Sequence, residues 1–304
     1  MDFQGMIEMQ LMLLSLILLG TFLKSKGVIT KEGNKLLADL VMSVTLPCTI
    51  FRSFQMEFTA EILKSCLVIF VLGFVVQVII YLFNMVAFRH LAWEKKSVAQ
   101  YSTLTSNAGT LGNPVTEGIF GALGVLYSSF YLISQRIMMW SVGLTYYTKA
   151  DSWKSLVKKI VTNPCMISVG LGLVAMIFQI QLPGFINVSI KNVAAANTPI
   201  AMLLVGGILA DVPWKEMADK DTMYYTVIRL VLLPALVYGL CALFSLEGTV
   251  RGVAVVLAAM PAASVVPAVT SKYGADAAFA TKCLVVSTLC SLVTLPVWSI
   301  LLMM

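Results

Sequence analysis

Long apolar runs, each closed by a short cluster of polar or turn-forming residues, follow one another along the chain. Ten can be delimited, at 6–23, 36–54, 62–88, 98–120, 123–148, 164–180, 190–210, 223–246, 250–269 and 277–302. A helix needs about 20 mostly apolar residues to cross the hydrocarbon of a bilayer. The pattern therefore predicts an all-α integral membrane protein with ten transmembrane helices. The fourth run is interrupted by GTLGNP at 109–114, and the sixth is short. Residues 154–160 just before the sixth read as an amphipathic surface helix. The first 23 residues hold no Lys or Arg. They lack the basic start of a signal peptide and read as a first membrane helix that is kept.

Composition agrees with that picture and narrows the chemistry. Of 304 residues, 59% are hydrophobic and 12% charged, and the mean hydropathy is +0.90. A soluble domain is about half apolar and about a quarter charged. Ten helices and their loops leave no room for a soluble catalytic domain. His90 is the one histidine, which removes Ser-His-Asp, Cys-His and multi-histidine metal chemistry. Cys48, Cys66, Cys165, Cys241, Cys283 and Cys290 form no CxxC pair and read as small apolar residues. Neither an enzyme nor a bound cofactor or metal is expected.

The formal charge of +6 is spread over short loops, which argues for membrane topology and against nucleic acid. Fourteen basic residues fall in odd-numbered loops: Lys24, Lys26, Lys31, Lys35, Arg89, Lys95, Lys96, Lys149, Lys154, Lys158, Lys159, Lys215, Lys220 and Lys272. The opposite side holds four, Arg52, Lys64, Lys191 and Arg251, and Arg136, Arg229 and Lys282 fall within runs. Positive loops stay cytoplasmic. A multi-pass protein of the cell membrane with both termini extracytoplasmic is expected.

Five helices per half is an odd number, so two homologous halves would be inverted relative to each other. The prolines fit. Pro47 and Pro199 lie 152 positions apart, in runs two and seven. Pro114 and Pro267, in runs four and nine, lie 153 apart. The expected organisation is a first five-helix repeat at 1–148, a cytoplasmic linker at 149–163 and a second, inverted repeat at 164–304. Run four contains SNAGTLGNPV (106–115), and run nine AAMPAASVVPAV (258–269) with Pro261 and Pro267. Proline removes an amide donor and glycine loosens the backbone. Freed backbone cannot face lipid, so it must be buried or line a watery cavity. Packing kinks are one reading. The other is a pair of discontinuous helices, four and nine, crossing at mid-membrane and offering free N–H groups to an anion.

Three stretches carry a resemblance to a known family. They are LPCTIFRSF (46–54), NAGTLGNPVTEGIFG (107–121), and MPAASVVPAVTSKYGADAAFATK (260–282) followed by STLCSLVTLP (287–296). In that order and at that spacing they resemble the auxin efflux carrier family, which includes bacterial malate and malonate permease-like members. The resemblance implies ten helices in an inverted repeat, similar to sodium–proton antiporters and bile-acid symporters. It implies a scaffold of helices one, two, six and seven, and a transport unit holding crossed helices four and nine. It also implies organic-anion transport. Thr110 stands where the family commonly has a bulky aromatic or apolar residue, and the plant members' long central loop is absent.

Ionisable residues inside a span are costly and point to function. Arg136 lies 13 residues into run five, about 20 Å along a helix and so near mid-membrane. No acidic residue stands three or four positions from it, so a partner is expected from another helix or from the ligand. Lys282 and Arg229 are shallower candidates. Paired carboxylates at mid-depth, as a sodium–proton antiporter needs, are missing from the runs. The residues expected to contact substrate are Asn107, Gly109, Thr110, Asn113, Pro114, Arg136, Pro261, Ser264, Pro267 and Lys282. Pro47, Asn197 and Pro199 are expected to break the scaffold helices. The reading is a secondary transporter of small organic anions working by alternating access, by efflux or exchange. The rivals are a sodium-coupled symporter of the bile-acid type and a transporter-like membrane sensor. The partners are the anion and the bilayer, and a homodimer is compatible with the pattern.

Overall fold

The structure, a computed structural model, describes residues 3–55, 59–147, 161–162, 164–210, 217, 219–263 and 265–302. The expected surface helix at 154–160 and most of the 149–163 linker lie outside the described residues. In chain order the helices are α1 (Phe3–Ser25), α2 (Lys31–Leu40), α3 (Leu46–Ser53), α4 (Ala60–Ala87), α5 (Trp93–Leu104), α6 (Asn113–Trp140) and α7 (Pro164–Ile177). They continue with α8 (Gly184–Ala195), α9 (Asn197–Ala210), α10 (Lys220–Val227), α11 (Leu233–Leu243), α12 (Gly248–Ala258), α13 (Val266–Lys272) and α14 (Ala277–Leu301). Single π-helical turns join α2 to α3 at Val41–Thr45, precede α6 at Ala108–Gly112, and join α10 to α11 at Ile228–Leu232. Among the described residues there is no strand, only one isolated bridge between Ser106 and Ala262.

Among the described residues, six stretches are long and apolar enough to span a bilayer: Lys31–Ser53, Ala60–Ala87, Ala108–Tyr146, Gly184–Ile208, Lys220–Leu243 and Ala277–Leu301. Leu11–Ser25, Pro164–Ile177 and Gly248–Ala258 are shorter apolar helices. Six is fewer than the ten runs in the sequence, and two physical causes are visible. Run four is split, so α5 ends well short of a span. Ala108–Tyr146 joins what the sequence divides into two runs. Gly121 inside it has φ 63° and ψ −151°, a conformation open to a residue without Cβ. The hydroxyls of Thr116 and Ser128 lie 2.9 Å apart, although twelve residues of straight helix would separate them by about 18 Å. The chain therefore folds back at Gly121, where the fourth and fifth runs meet.

The chain forms two compact units, each drawn from both halves of the sequence. Unit one comprises Met1–Cys66, Gly109–Ser129 and Val161–Val212. Its core is a close pairing of α1 with α9. A Cβ on Gly206 would strike the carbonyl of Ile17, and one on Gly20 would strike the backbone of Leu203. This close approach lets Thr21 Oγ1 donate to the Gly206 carbonyl at 3.1 Å. Phe54, at the end of α3, packs on Gly172 of α7. Thr49 Oγ1 donates to Ala194 O of α8 at 3.3 Å. Thr45 Oγ1 donates to Asn197 Oδ1 at 2.9 Å, between residues 152 positions apart.

Unit two comprises Leu67–Ala108, Phe130–Ile160 and Pro213–Met304. A π turn and Pro234 interrupt its α10–α11 helix. Proline frees the carbonyl four residues before it. That carbonyl, Leu230 O, takes the indole N–H of Trp298 at 2.8 Å. The scaffold implied by the family resemblance, helices one, two, six and seven, falls in unit one. Gly109–Ser129 groups there too, so the part of the fourth run beyond its break does not cluster with helix nine. Contact within unit one accounts for this: Thr110 Oγ1 reaches Met42 Sδ at 3.9 Å.

Candidate functional site

The polypeptide break in unit two is built from two extended segments. α5 ends at Leu104, and its cap Thr105 is extended, with φ −116° and ψ 100°. α12 ends at Ala258, and helix resumes only at Val266. The two segments pair antiparallel. Asn107 N–H donates to Pro261 O at 2.8 Å, and Ala263 N–H donates to Thr105 O at 3.3 Å. These two bonds flank the Ser106–Ala262 bridge and are related by a local two-fold through it. The break of run four thus sits at 105–107, upstream of the GTLGNP stretch that the sequence pointed to. GTLGNP instead forms most of the π turn and the first turn of α6.

Buried amides and carbonyls need partners, and side chains from α6, α14 and the π turn at Ile228–Leu232 supply several that the pairing leaves over. Gln135 of α6 donates through Nε2 to Ser106 O at 3.0 Å and accepts Ser106 Oγ at 2.9 Å. Ser287 Oγ of α14 accepts Ala262 N–H at 3.1 Å. Gln135 and Ser287 are themselves 152 positions apart. Arg229 donates through Nε to Met260 O at 2.8 Å and through Nη1 to Thr103 O at 2.9 Å. It thereby holds the carbonyl-bearing ends of α5 and α12, where a cation is favourable. Arg229 is 2% exposed.

The sequence-predicted residues fall out as follows. Asn107 and Pro261 meet directly. Pro267 lies in the first turn of α13, and Ser264 lies outside the described residues. Arg136 is 8% exposed, adjoins Gln135, and is engaged within the fold. Gly109, Thr110, Asn113 and Pro114 belong to unit one. There Asn113 is fully buried, donates Nδ2 to Gly109 O at 3.2 Å, and leaves Oδ1 without a hydrogen-bond partner. Pro47 sits in the first turn of α3, directly after a π turn. Pro199 sits in the first turn of α9, and Asn197 at its start is bound to Thr45.

Lys282 stands apart from the paired break. Its Nζ lies 3.4 Å from Asp219 Oδ2, and nearby Lys95 lies 2.6 Å from Asp221 Oδ2. Asp219 caps α10 through Thr222 N–H at 2.8 Å, and Asp276 caps α14 through Phe279 N–H at 2.8 Å. Lys95 also lies 5.3 Å over the Phe279 ring. Partial burial pushes the Asp219 carboxyl up, but the Thr222 and Lys282 hydrogen bonds outweigh it and hold the group below its ordinary range. The hydrogen bond to Asp221 raises Lys95. Gln135, Ser287 and the two carbonyls of Arg229 were not picked out from sequence. The 152-position offset between Gln135 and Ser287 was the available signal.

Long apolar helices whose interrupted backbone is satisfied from within define a multi-pass membrane protein. The membrane transport protein family, the family of the auxin efflux carriers, matches residues 6–154 and 148–299, and the chain belongs to it. An uncharacterized transporter of Methanothermobacter thermautotrophicus is 26% identical over 306 residues, covering 99% of this chain and 100% of that protein. An uncharacterized transporter of Methanocaldococcus jannaschii is also 26% identical, over 96% of this chain and 97% of its own length.

Proposed function

We propose that the protein is a secondary transporter of small organic anions, working by alternating access. It has ten spans in two inverted repeats, 1–148 and 164–304, with both termini outside the cell membrane. The observation that carries this reading is the pair of two-fold-related hydrogen bonds between the breaks at Thr105–Asn107 and Pro261–Ala263. The Thr45–Asn197 bond at the same 152-position offset as Pro47 and Pro199 supports the repeat. A break held by its partner strand and by side chains keeps polar backbone buried in the membrane, where transporters commonly hold substrate. Among the described residues no carboxylate forms a hydrogen bond or ion pair with the paired break, which favours an anion over a cation as cargo. Asn107 and Arg136 are the side chains proposed to meet it. A carboxylate can engage an Arg bidentately. Each negative charge leaving a cell at about 100 mV, inside negative, gains about 2.3 kcal/mol, which favours efflux or exchange.

The test is flux in proteoliposomes at controlled potential, with radiolabelled malonate, malate and an aromatic monocarboxylate, with and without a sodium gradient. Sodium-independent, potential-driven flux of one of them is expected. Strict sodium dependence would favour a symporter of the bile-acid type. Binding without flux would make the protein a sensor.

A further inference from the structure

We propose that Arg229 is the positioning residue of the paired break and a second fixed charge, besides Arg136, that biases the break toward anions. This rests on the anion-transport reading above. Its two hydrogen bonds reach Thr103 O and Met260 O, one on each side of the break. These carbonyls lie just before the extended segments whose amides pair at Asn107 and Ala263. One guanidinium thus spans both backbones and fixes their separation, which a planar two-pronged donor can do and an ammonium cannot do equally well.

The charge has a second consequence. The phenols of Tyr225 and Tyr131 stand near Arg229, and among the described residues no carboxylate forms an ion pair with it. Tyr225 is itself committed to Ser102 O at 3.2 Å. A buried cation balanced only by carbonyl dipoles is costly in a membrane. An anion arriving near the break relieves that cost, whereas a neutral analogue does not. The anchoring is local: the π turn at Ile228–Leu232 carries Arg229, and Trp298 on Leu230 O holds that turn.

The experiment compares the full-length wild type with Arg229→Lys and Arg229→Gln in proteoliposomes. Hydrogen–deuterium exchange is read on peptides covering 103–107 and 260–263, with the α1–α9 pairing as internal reference. Flux of radiolabelled malonate is read against malonamide, its neutral isostere. In the Gln variant, exchange at both segments should quicken about tenfold or more with the reference unchanged, and preference for malonate over malonamide should weaken to what Arg136 alone sustains. In the Lys variant the preference should persist while exchange rises and the KM for malonate increases. Protection and preference both retained in the Gln variant would overturn the proposal. So would uniformly faster exchange across the chain with no rescue by Lys, which is what a merely structural residue would give. If the wild type carries neither compound nor any other carboxylate, the anion reading and its charge-selecting corollary fail together. The exchange comparison still decides the clamp.

Discussion

Replacing Thr45 with Val removes one hydroxyl and keeps the side chain's shape. Thr45 and Asn197 are 3% and 1% exposed, so no water replaces the lost donor. Asn197 Nδ2 already has no hydrogen-bond partner, and the variant leaves the whole amide unpaired. An unsatisfied buried group costs about 1–3 kcal/mol. Inter-helix hydrogen bonds in membrane proteins average about 0.6 kcal/mol, because the denatured chain also finds partners. The expected loss for Thr45→Val is therefore about 1 kcal/mol. Asn197→Leu alone removes the amide but strands the Thr45 hydroxyl. The double variant should lose less than the sum, with a coupling of about 0.5–1 kcal/mol. Reversible unfolding in mixed micelles with increasing dodecyl sulfate measures all three. A Thr45→Val loss under about 0.3 kcal/mol with strictly additive singles would show that the bond contributes nothing, although both groups are buried.

Gly206→Ala places a methyl against the backbone of α1 and should cost about 1–3 kcal/mol, whereas Gly170→Ala on α7 meets nothing within 4 Å and should gain up to about 1 kcal/mol from helix propensity; thermal unfolding in detergent ranks them. Asp219 is held below its ordinary range, so its contribution is present above the unfolded value of about 3.9 and is lost as pH falls through the lower folded value. The pair is about a third exposed, so the effect stays under about 1 kcal/mol. Asp219→Asn keeps a good helix cap and should flatten the acid limb of the unfolding-temperature profile between about pH 5 and 2. Reporter fusions at the C-terminus that are active only outside the cytoplasm are expected from the loop charges; activity inside would refute the ten-span count.

The sequence carried what depends on backbone chemistry. Proline acts locally: a π turn leads into Pro47, α9 begins two residues before Pro199, and the chain is non-helical at Pro261. The position of the fourth-run break is not legible in this way. Glycines and a proline at 109–114 mark its centre by composition, yet helix persists there as a π turn and the interruption lies at Thr105–Asn107. Nothing in Thr-Ser-Asn excludes helix. What extends it is pairing with 261–263, more than 150 positions away. Lys282 was read by depth alone, and its partner Asp219 comes from the start of another helix, 63 positions away. Gln135, beside Arg136, is not legible in the sequence because a neutral amide carries no charge to mark it within an apolar run.

In the proposed inverted-repeat transporter, the side chains around the break bear on how the transport cycle acquires a direction. Backbone pairing at the break is nearly two-fold symmetric, but the side chains that complete it are not. Gln135 offers a donor and an acceptor where Ser287, 152 positions on, gives a single hydroxyl acceptor. The position 152 before Arg229 is Gln77, which is 3% exposed with Oε1 unpartnered. A strictly symmetric site would hold the anion equally well facing either way. On the proposed repeats, Arg229 is matched by neutral Gln77 and Arg136 by neutral Thr288, so the two buried cations stand at non-equivalent places. In the proposed alternating-access cycle the two states are then expected to differ in free energy for an anionic cargo, while the backbone that each presents stays nearly the same.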